Sequence, residues 1–207
     1  MKPSVPGMMM NRGRLYINKR ARVEWHFTVL FYSNRKKRKE IEDNMVIIYE
    51  SKTGFTKKYA DMLAAKTGIK AFFVKEISKI DKSEEIIFLG WIKVGKIQGL
   101  EKVRDYNIKA VCATGTARKA EPSVETVIAR NNIENVPFFY LRGGCLPLKE
   151  LKGMDKIMLY MFVNILKLRR DKDEETVESI NIIENGFDGV REENLGPVLE
   201  WLKTYRG

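Results

Sequence analysis

Short apolar runs and segments of helical spacing alternate along the chain after residue 44. The first run, Met-Val-Ile-Ile-Tyr, begins at Met45 and stops abruptly at a group of hydroxyl side chains. Behind it, Tyr59, Met62 and Leu63 have the i, i+3, i+4 spacing of one helix face. Further patterns predict strands at residues 70–74, 85–90, 109–114 and 136–141, and helices at residues 56–67, 99–106 and 123–131. This alternation, with continuously apolar strands, predicts an α/β fold in which helices cover both faces of a parallel sheet.

The pattern is less regular towards the C-terminus. Residues 154–168 form a dense apolar segment, and a charged stretch to residue 178 follows it. Residues 179–184 predict a strand, residues 186–189 a polar turn and residues 193–205 a final helix. In that helix, Leu195, Val198, Leu199 and Leu202 fall on one face, which predicts that the helix closes one side of the sheet.

The loop between the first strand and the first helix has the composition of an anion site. Its residues are Ser51, Lys52, Thr53, Gly54, Phe55 and Thr56. The free backbone N–H groups and the dipole of a helix N-terminus converge there, the hydroxyls add donors, and glycine allows close approach of the backbone. The loop is neither a Walker A sequence nor the Gly-x-Gly-x-x-Gly of dinucleotide folds. It predicts a phosphate-sized pocket; the alternative is a helix that is capped by Ser or Thr and binds nothing.

Two further strand ends should lie beside this loop, because the carboxyl ends of parallel strands meet at one edge of a sheet. The third strand runs into residues 90–96 and the fourth into residues 113–119. Trp91 can stack on a flat ring there, or it packs at the rim of the sheet without binding anything. Nearby cations could stabilise a negative charge on a ligand, namely Lys93, Lys96, Arg118 or Lys119.

Composition predicts one domain with a basic leader. The chain has 207 residues, 44% of them hydrophobic, and a formal net charge of +11. Residues 1–44 hold 11 of the 38 Lys and Arg and 4 of the 27 Asp and Glu, so +7 lies there and only +4 in residues 45–207. We interpret residues 1–44 either as a basic arm for nucleic acid or membrane or, preferably, as residues upstream of a true start at Met45. Nucleic acid is therefore not favoured as a partner.

Few side chains of the body can carry chemistry by themselves. The single histidine, His26, lies in the leader, so residues 45–207 have no histidine base and no histidine metal ligand. Cys112 and Cys145 are far apart and lack Cys-x-x-Cys spacing, which predicts structural thiols in a reducing cytoplasm. We expect neither a catalytic side chain nor a metal, and any redox chemistry should belong to a bound cofactor.

The hydroxyl loop resembles the FMN phosphate loop of flavodoxins, and residues 45 to about 203 resemble the menaquinone-dependent protoporphyrinogen dehydrogenases of that superfamily. The similar stretches begin at Leu89 (Leu-Gly-Trp-Ile-Lys-Val-Gly), Ala117 (Ala-Arg-Lys), Tyr140 (Tyr-Leu-Arg-Gly-Gly) and Met154 (Met-Asp-Lys-Ile-Met). The resemblance implies a flavodoxin-like doubly wound sheet of five parallel strands. It also implies FMN as the cofactor and electron transfer from a porphyrinogen to a quinone.

Site residues follow from the same resemblance. The loop from Ser51 to Thr56 would bind the phosphate. The residues flanking the isoalloxazine ring would be Trp91, Ile92, Lys93, Val94, Gly95, Thr114, Gly115, Thr116 and Ala117. Val94 stands where the family often has a tyrosine, so stacking on the flavin would come from Trp91 or from elsewhere.

An insertion at about residues 142–178 bears on the partner. Its apolar segment is too short to cross a bilayer, but it could lie in the interface of a membrane that holds a quinone. The alternative is that it covers the sheet or a dimer interface. These patterns predict a cytoplasmic protein, with peripheral contact at the inner face of the membrane as one possibility. Two other functions stay open: a simple flavodoxin-type electron shuttle, and a flavodoxin-like binding scaffold without a cofactor.

Overall fold

A parallel sheet of five strands forms the centre of the protein, whose computed structural model describes residues 8–11, 14–17, 44–120 and 122–206. The strands are β1 (Met45–Tyr49), β2 (Lys70–Phe73), β3 (Glu85–Lys93), β4 (Asn107–Gly115) and β5 (Phe138–Arg142). Their spatial order is β2-β1-β3-β4-β5, and the short strand Lys96–Ile97 pairs antiparallel with the end of β3. From β1 the chain first adds β2 on one side of β1, and it then crosses over to add β3 on the other side of β1. The carboxyl ends of β1 and β3 therefore flank the crevice in which sheets of this order bind ligands.

Helices cover both faces of the sheet. The helices are α1 (Phe55–Thr67), α2 (Val124–Arg130), α3 (Gly153–Leu168), α4 (Glu174–Asn185) and α5 (Gly196–Arg206). Alternate residues of a strand point to opposite faces. On β1, Ile47 packs in the cluster that contains α1 and α5, whereas Ile48 packs in the cluster that contains α2. Both isoleucines are fully buried, which explains why the strand is apolar throughout.

Most of the predicted elements are confirmed, but two are wrong. Residues 99–106 form only a short 3-10 helix, Leu100–Val103, whose single turn already buries both of its apolar residues before β4 begins at Asn107. Residues 179–184 belong to helix α4 and not to a strand. The β-branched residues suggested a strand, whereas Thr176 and Ile183, seven residues apart, are buried on one helix face. The predicted polar turn contains a two-residue strand, Phe187–Asp188, paired with Gly144–Cys145.

The leader has one described feature. Residues Met8–Asn11 pair antiparallel with Arg14–Ile17. The leader also contains a run of five basic residues at positions 35–39 and a short apolar patch at residues 25–32. Both of them, and His26, lie outside the described residues. The interpretations of the leader therefore stay predictions.

Candidate functional site: a cavity at the carboxyl edge of the sheet

A cavity of about 280 Å³ lies where the sequence predicted a ligand site, at the carboxyl ends of β1, β3, β4 and β5. Eleven of the fifteen predicted site residues line it: Lys52, Thr53, Phe55, Thr56, Trp91, Ile92, Lys93, Val94, Thr114, Gly115 and Thr116. The other four belong to the same loops but do not line the cavity: Ser51, Gly54, Gly95 and Ala117. The structure therefore brings the three predicted loops to one cavity.

The loop after β1 turns sharply into helix α1. Gly54 has φ of 93°, a left-handed conformation that favours glycine, and its N–H donates to Ser51 Oγ at 3.1 Å. Helix α1 begins at the next residue, so the N–H groups of its first turn have no partner within the helix. Thr53 is exposed at the same place and lines the cavity. The loop thus offers backbone and hydroxyl donors to an anion.

Thr56 joins this loop to the neighbouring strand β4. Its hydroxyl is hydrogen-bonded to the hydroxyl of Thr114 at 2.8 Å, and Thr114 Oγ1 lies 3.4 Å from the carbonyl oxygen of Gly90. Both threonines are nearly fully buried. The pair therefore fixes the distance between two walls of the cavity.

Strand β3 ends in a tight hairpin that presents Trp91, Ile92, Lys93 and Val94 to the cavity. At its tip, Val94 and Gly95 both have positive φ, 49° and 75°, as in a type I′ turn. Trp91 is half-buried, and Lys52 Nζ lies 5.9 Å from the centre of its ring. A flat aromatic side chain and a cation therefore stand side by side in the cavity wall.

Several predicted residues have other roles. The carbonyl of Gly95 accepts a hydrogen bond from the buried Asn131, and that of Ala117 accepts one from the Tyr140 hydroxyl at 2.7 Å. Lys96 donates to the carbonyl of Arg130 at 2.5 Å, away from the cavity. These residues hold the loops in shape.

Sequence reasoning missed the remaining wall, which comes from the segment after β5. These residues are Gly143, Gly144, Cys145, Leu146, Leu151, Asp155, Met158 and Leu159. A Cβ on Gly144 would lie 2.5 Å from the ring of Phe55 and 2.4 Å from the carbonyl oxygen of Phe187. Two signals were available in the stretches of the resemblance: the glycine pair after β5, since glycine suits such close approach, and the Met-Asp-Lys-Ile-Met stretch from Met154. No local pattern points from α3 back to the sheet.

Charges concentrate at the rim. Lys52 and Lys93 both donate to the carboxylate of Asp155, the latter at 3.1 Å. The hydrogen bond from Lys52 lowers the pKa of Asp155, assisted by Lys93 and opposed by partial burial. Asp155 is therefore charged at neutral pH.

The two cysteines differ in position. Cys145 lines the cavity and its thiol donates to the carbonyl of Leu146, whereas Cys112 is buried within β4. Burial raises the pKa of both thiols, that of Cys112 to about 12. Both are therefore protonated at neutral pH, which makes them poor nucleophiles.

The outer side of α3 is largely apolar and exposed. The exposed residues are Met154, Ile157, Tyr160, Met161, Phe162, Ile165 and Leu168, and Met158 lies at the border between this side and the cavity wall. Only Val163 and Leu166 of this helix are buried. No helix within the described residues is both long enough and apolar enough to cross a membrane.

A model of the flavodoxin domain family matches residues 46–173, from β1 to the residue that caps α4. The chain belongs to the flavodoxin domain family. No curated protein matches it significantly. Flavodoxin domains typically bind FMN and act in electron transfer.

The residues around the cavity fit FMN. The phosphate requires donors, which the first turn of α1 and Thr53 supply, and Lys52 and Lys93 together leave one net positive charge at the rim beside Asp155. The flat ring requires an apolar or aromatic wall, which Trp91 and Ile92 supply. This chemistry agrees with the family.

Proposed function

We propose that this protein is an FMN-dependent oxidoreductase that resembles the protoporphyrinogen dehydrogenases. One observation carries the proposal: the hydroxyl loop, Trp91 and the end of β4 line a single cavity that the insertion helix α3 also walls. A soluble shuttle needs an exposed flavin edge and has no use for such a wall. The cofactor-free scaffold is less well supported, because the donors of the loop after β1 are retained.

Each loop has a distinct task in this proposal. Within the loop from Ser51 to Thr56, Thr53 and the N–H groups of the first turn of α1 hold the phosphate, and the other residues shape the loop around it. Trp91 to Val94 and Thr114 to Thr116 flank the ring. When bound, FMN accepts and passes on one or two electrons. The backbone groups and lysines of the rim adjust its potential through charge and hydrogen bonds. The electrons would move to and from the cofactor and the released protons would pass to water, so the proposal does not require a histidine base.

The insertion bears on the electron donor and acceptor. Met158 and Leu159 give the cavity an apolar outer wall, which suits the largely apolar ring systems of porphyrinogens and quinones better than highly charged partners. The exposed apolar face of α3 is flanked by Lys156, Lys167 and the pair Arg169 and Arg170. A helix of this type lies well in the interface of an anionic membrane, where quinones dissolve. We therefore propose peripheral contact with the cytoplasmic face of the membrane.

The test is FMN binding by the full chain and by Thr53→Asp. We expect the purified protein to be yellow, with about one FMN per chain. A carboxylate at residue 53 stabilises the first turn of α1 but repels the phosphate. The variant should fold normally and lose FMN affinity at least about tenfold.

Riboflavin is the matched control, because it lacks the phosphate. Its affinity should change little in Thr53→Asp. A colourless wild-type protein that also fails to take up added FMN would refute the proposed function. Equal losses for FMN and riboflavin would place the phosphate elsewhere.

A further inference from the structure

One carboxylate joins three elements around the cavity. Asp155 lies in the first turn of α3 and contacts Lys52 in the loop after β1 and Lys93 at the end of β3. These two loops are neighbours at the sheet edge, whereas α3 follows some sixty residues later in the chain. Asp155 is therefore a direct polar link between the insertion and the predicted flavin loops.

The same face of α3 also walls the cavity. Met158 and Leu159 follow Asp155 by three and four residues, which places all three on one side of the helix. All three line the cavity. If the first turn of α3 moved away from the lysines, the apolar wall would move with it.

Asp155 is better placed for this task than Glu178, another carboxylate of the insertion that contacts cations of the sheet edge. Its side chain is only 18% exposed, and it lines the cavity itself. Glu178 of α4 contacts Arg118 at 3.1 Å and Arg142 at 3.9 Å, but its side chain is 43% exposed and does not line the cavity, so water screens these pairs more strongly. Within the insertion, Lys167 and Glu184 tie α3 to α4 at 2.5 Å without lining the cavity.

We propose that Asp155 is a positioning residue that holds α3 as the outer wall of the flavin cavity and so slows the release of bound flavin. This inference depends on the proposed function for its ligand. A different role for the same contacts would be competition, in which the carboxylate occupies lysines that could otherwise neutralise the FMN phosphate. The two roles predict opposite effects of removing the charge.

The experiment compares Asp155→Asn with wild type in flavin dissociation, measured by stopped-flow fluorescence for both FMN and riboflavin. We expect Asp155→Asn to release both flavins about tenfold faster, because the wall is loosened whatever the ligand carries. Asp155→Glu should recover part of the slow release. Glu184→Gln is the matched control, since it removes an ion pair of the same insertion away from the cavity, and it should stay within about twofold of wild type.

Hydrogen exchange of the flavin-free protein provides a second measurement. Amides at the start of α3 should exchange faster in Asp155→Asn than in Glu184→Gln. This result tests the link even if wild type binds no flavin, an outcome that would refute the proposed function separately. If amide exchange at the start of α3 were the same in Asp155→Asn as in wild type, Asp155 would not hold α3 against the lysines and the inference would be overturned.

Two kinetic results would also overturn the inference. Equal dissociation rates in Asp155→Asn and Glu184→Gln would show that Asp155 has no special role. Slower release of FMN with unchanged riboflavin would show that Asp155 competes with the phosphate.

Discussion

The loops of the sheet edge and the helices of the insertion wall the same cavity, but they are built differently. The loops after β1, β3 and β4 extend directly from buried strands, and the Thr56–Thr114 hydrogen bond joins two of them. The insertion helix α3 buries only Val163 and Leu166 and contacts the loops through Asp155. The comparison teaches that one wall is fixed by the core, whereas the other is fixed by a few side chains.

The largest difference should appear when a buried leucine is removed from α1, which follows the first loop of the sheet edge, and from α3 of the insertion. Leu63 of α1 is fully buried in the main core, and Leu166 of α3 is 5% exposed in the insertion. We expect Leu63→Ala to lower the free energy of unfolding by about 3–5 kcal/mol and Leu166→Ala by about 2 kcal/mol, because a cavity in a densely packed core relaxes less. Urea denaturation monitored by circular dichroism measures both.

Local measurements sharpen the same comparison. Hydrogen exchange in Leu166→Ala should accelerate in α3 and α4 and leave the sheet protected. Equal losses of stability for Leu63→Ala and Leu166→Ala would contradict the contrast between the two walls, since the insertion would then be as firmly packed as the core.

The difference between the two walls also explains what the sequence could predict. The loop from Ser51 to Thr56 was found because a strand, a glycine and a helix follow each other within a dozen residues. Trp91 and Thr114 were found because parallel strands end at one edge. Asp155 was missed because its lysines lie 103 and 62 residues away. Contacts between distant parts of the chain also explain the error at α4. Its β-branched residues suggested a strand, but packing against α3 stabilises a helix there.

A smaller effect, on membrane binding, should come from a substitution on the outer face of α3, which points away from the cavity. Met161 of α3 is 59% exposed and does not line the cavity. We expect Met161→Glu to reduce binding to anionic vesicles about tenfold, because a carboxylate opposes both burial and the lipid charge. Vesicle flotation measures the bound fraction.

The control for this variant is Val177→Glu on α4, where the exposed valine lies outside the apolar face of α3. FMN affinity should be unchanged in Met161→Glu. A wild-type protein that does not float with anionic vesicles would refute the membrane proposal. The apolar face of α3 would then have another partner.

The smallest effect should come from the hairpin at the end of β3. There a substitution should raise the free energy of unfolding, whereas the leucine variants lower it. Val94 has φ of 49°, and a β-branched residue in this left-handed region costs about 1 kcal/mol or more. Asparagine before glycine is the favoured pair in a type I′ turn. Val94→Asn should therefore raise the free energy of unfolding by about 1 kcal/mol, measured by urea denaturation.

Val177→Asn serves as the control for a valine-to-asparagine change on the surface, because Val177 is exposed within a helix and should gain nothing. No gain in Val94→Asn would show that the turn carries no strain. Since Val94 also lines the cavity, FMN affinity should be measured in the same variant. A more stable protein that binds FMN more weakly would mean that the valine serves the cofactor at the expense of the fold, as strained residues at functional sites often do.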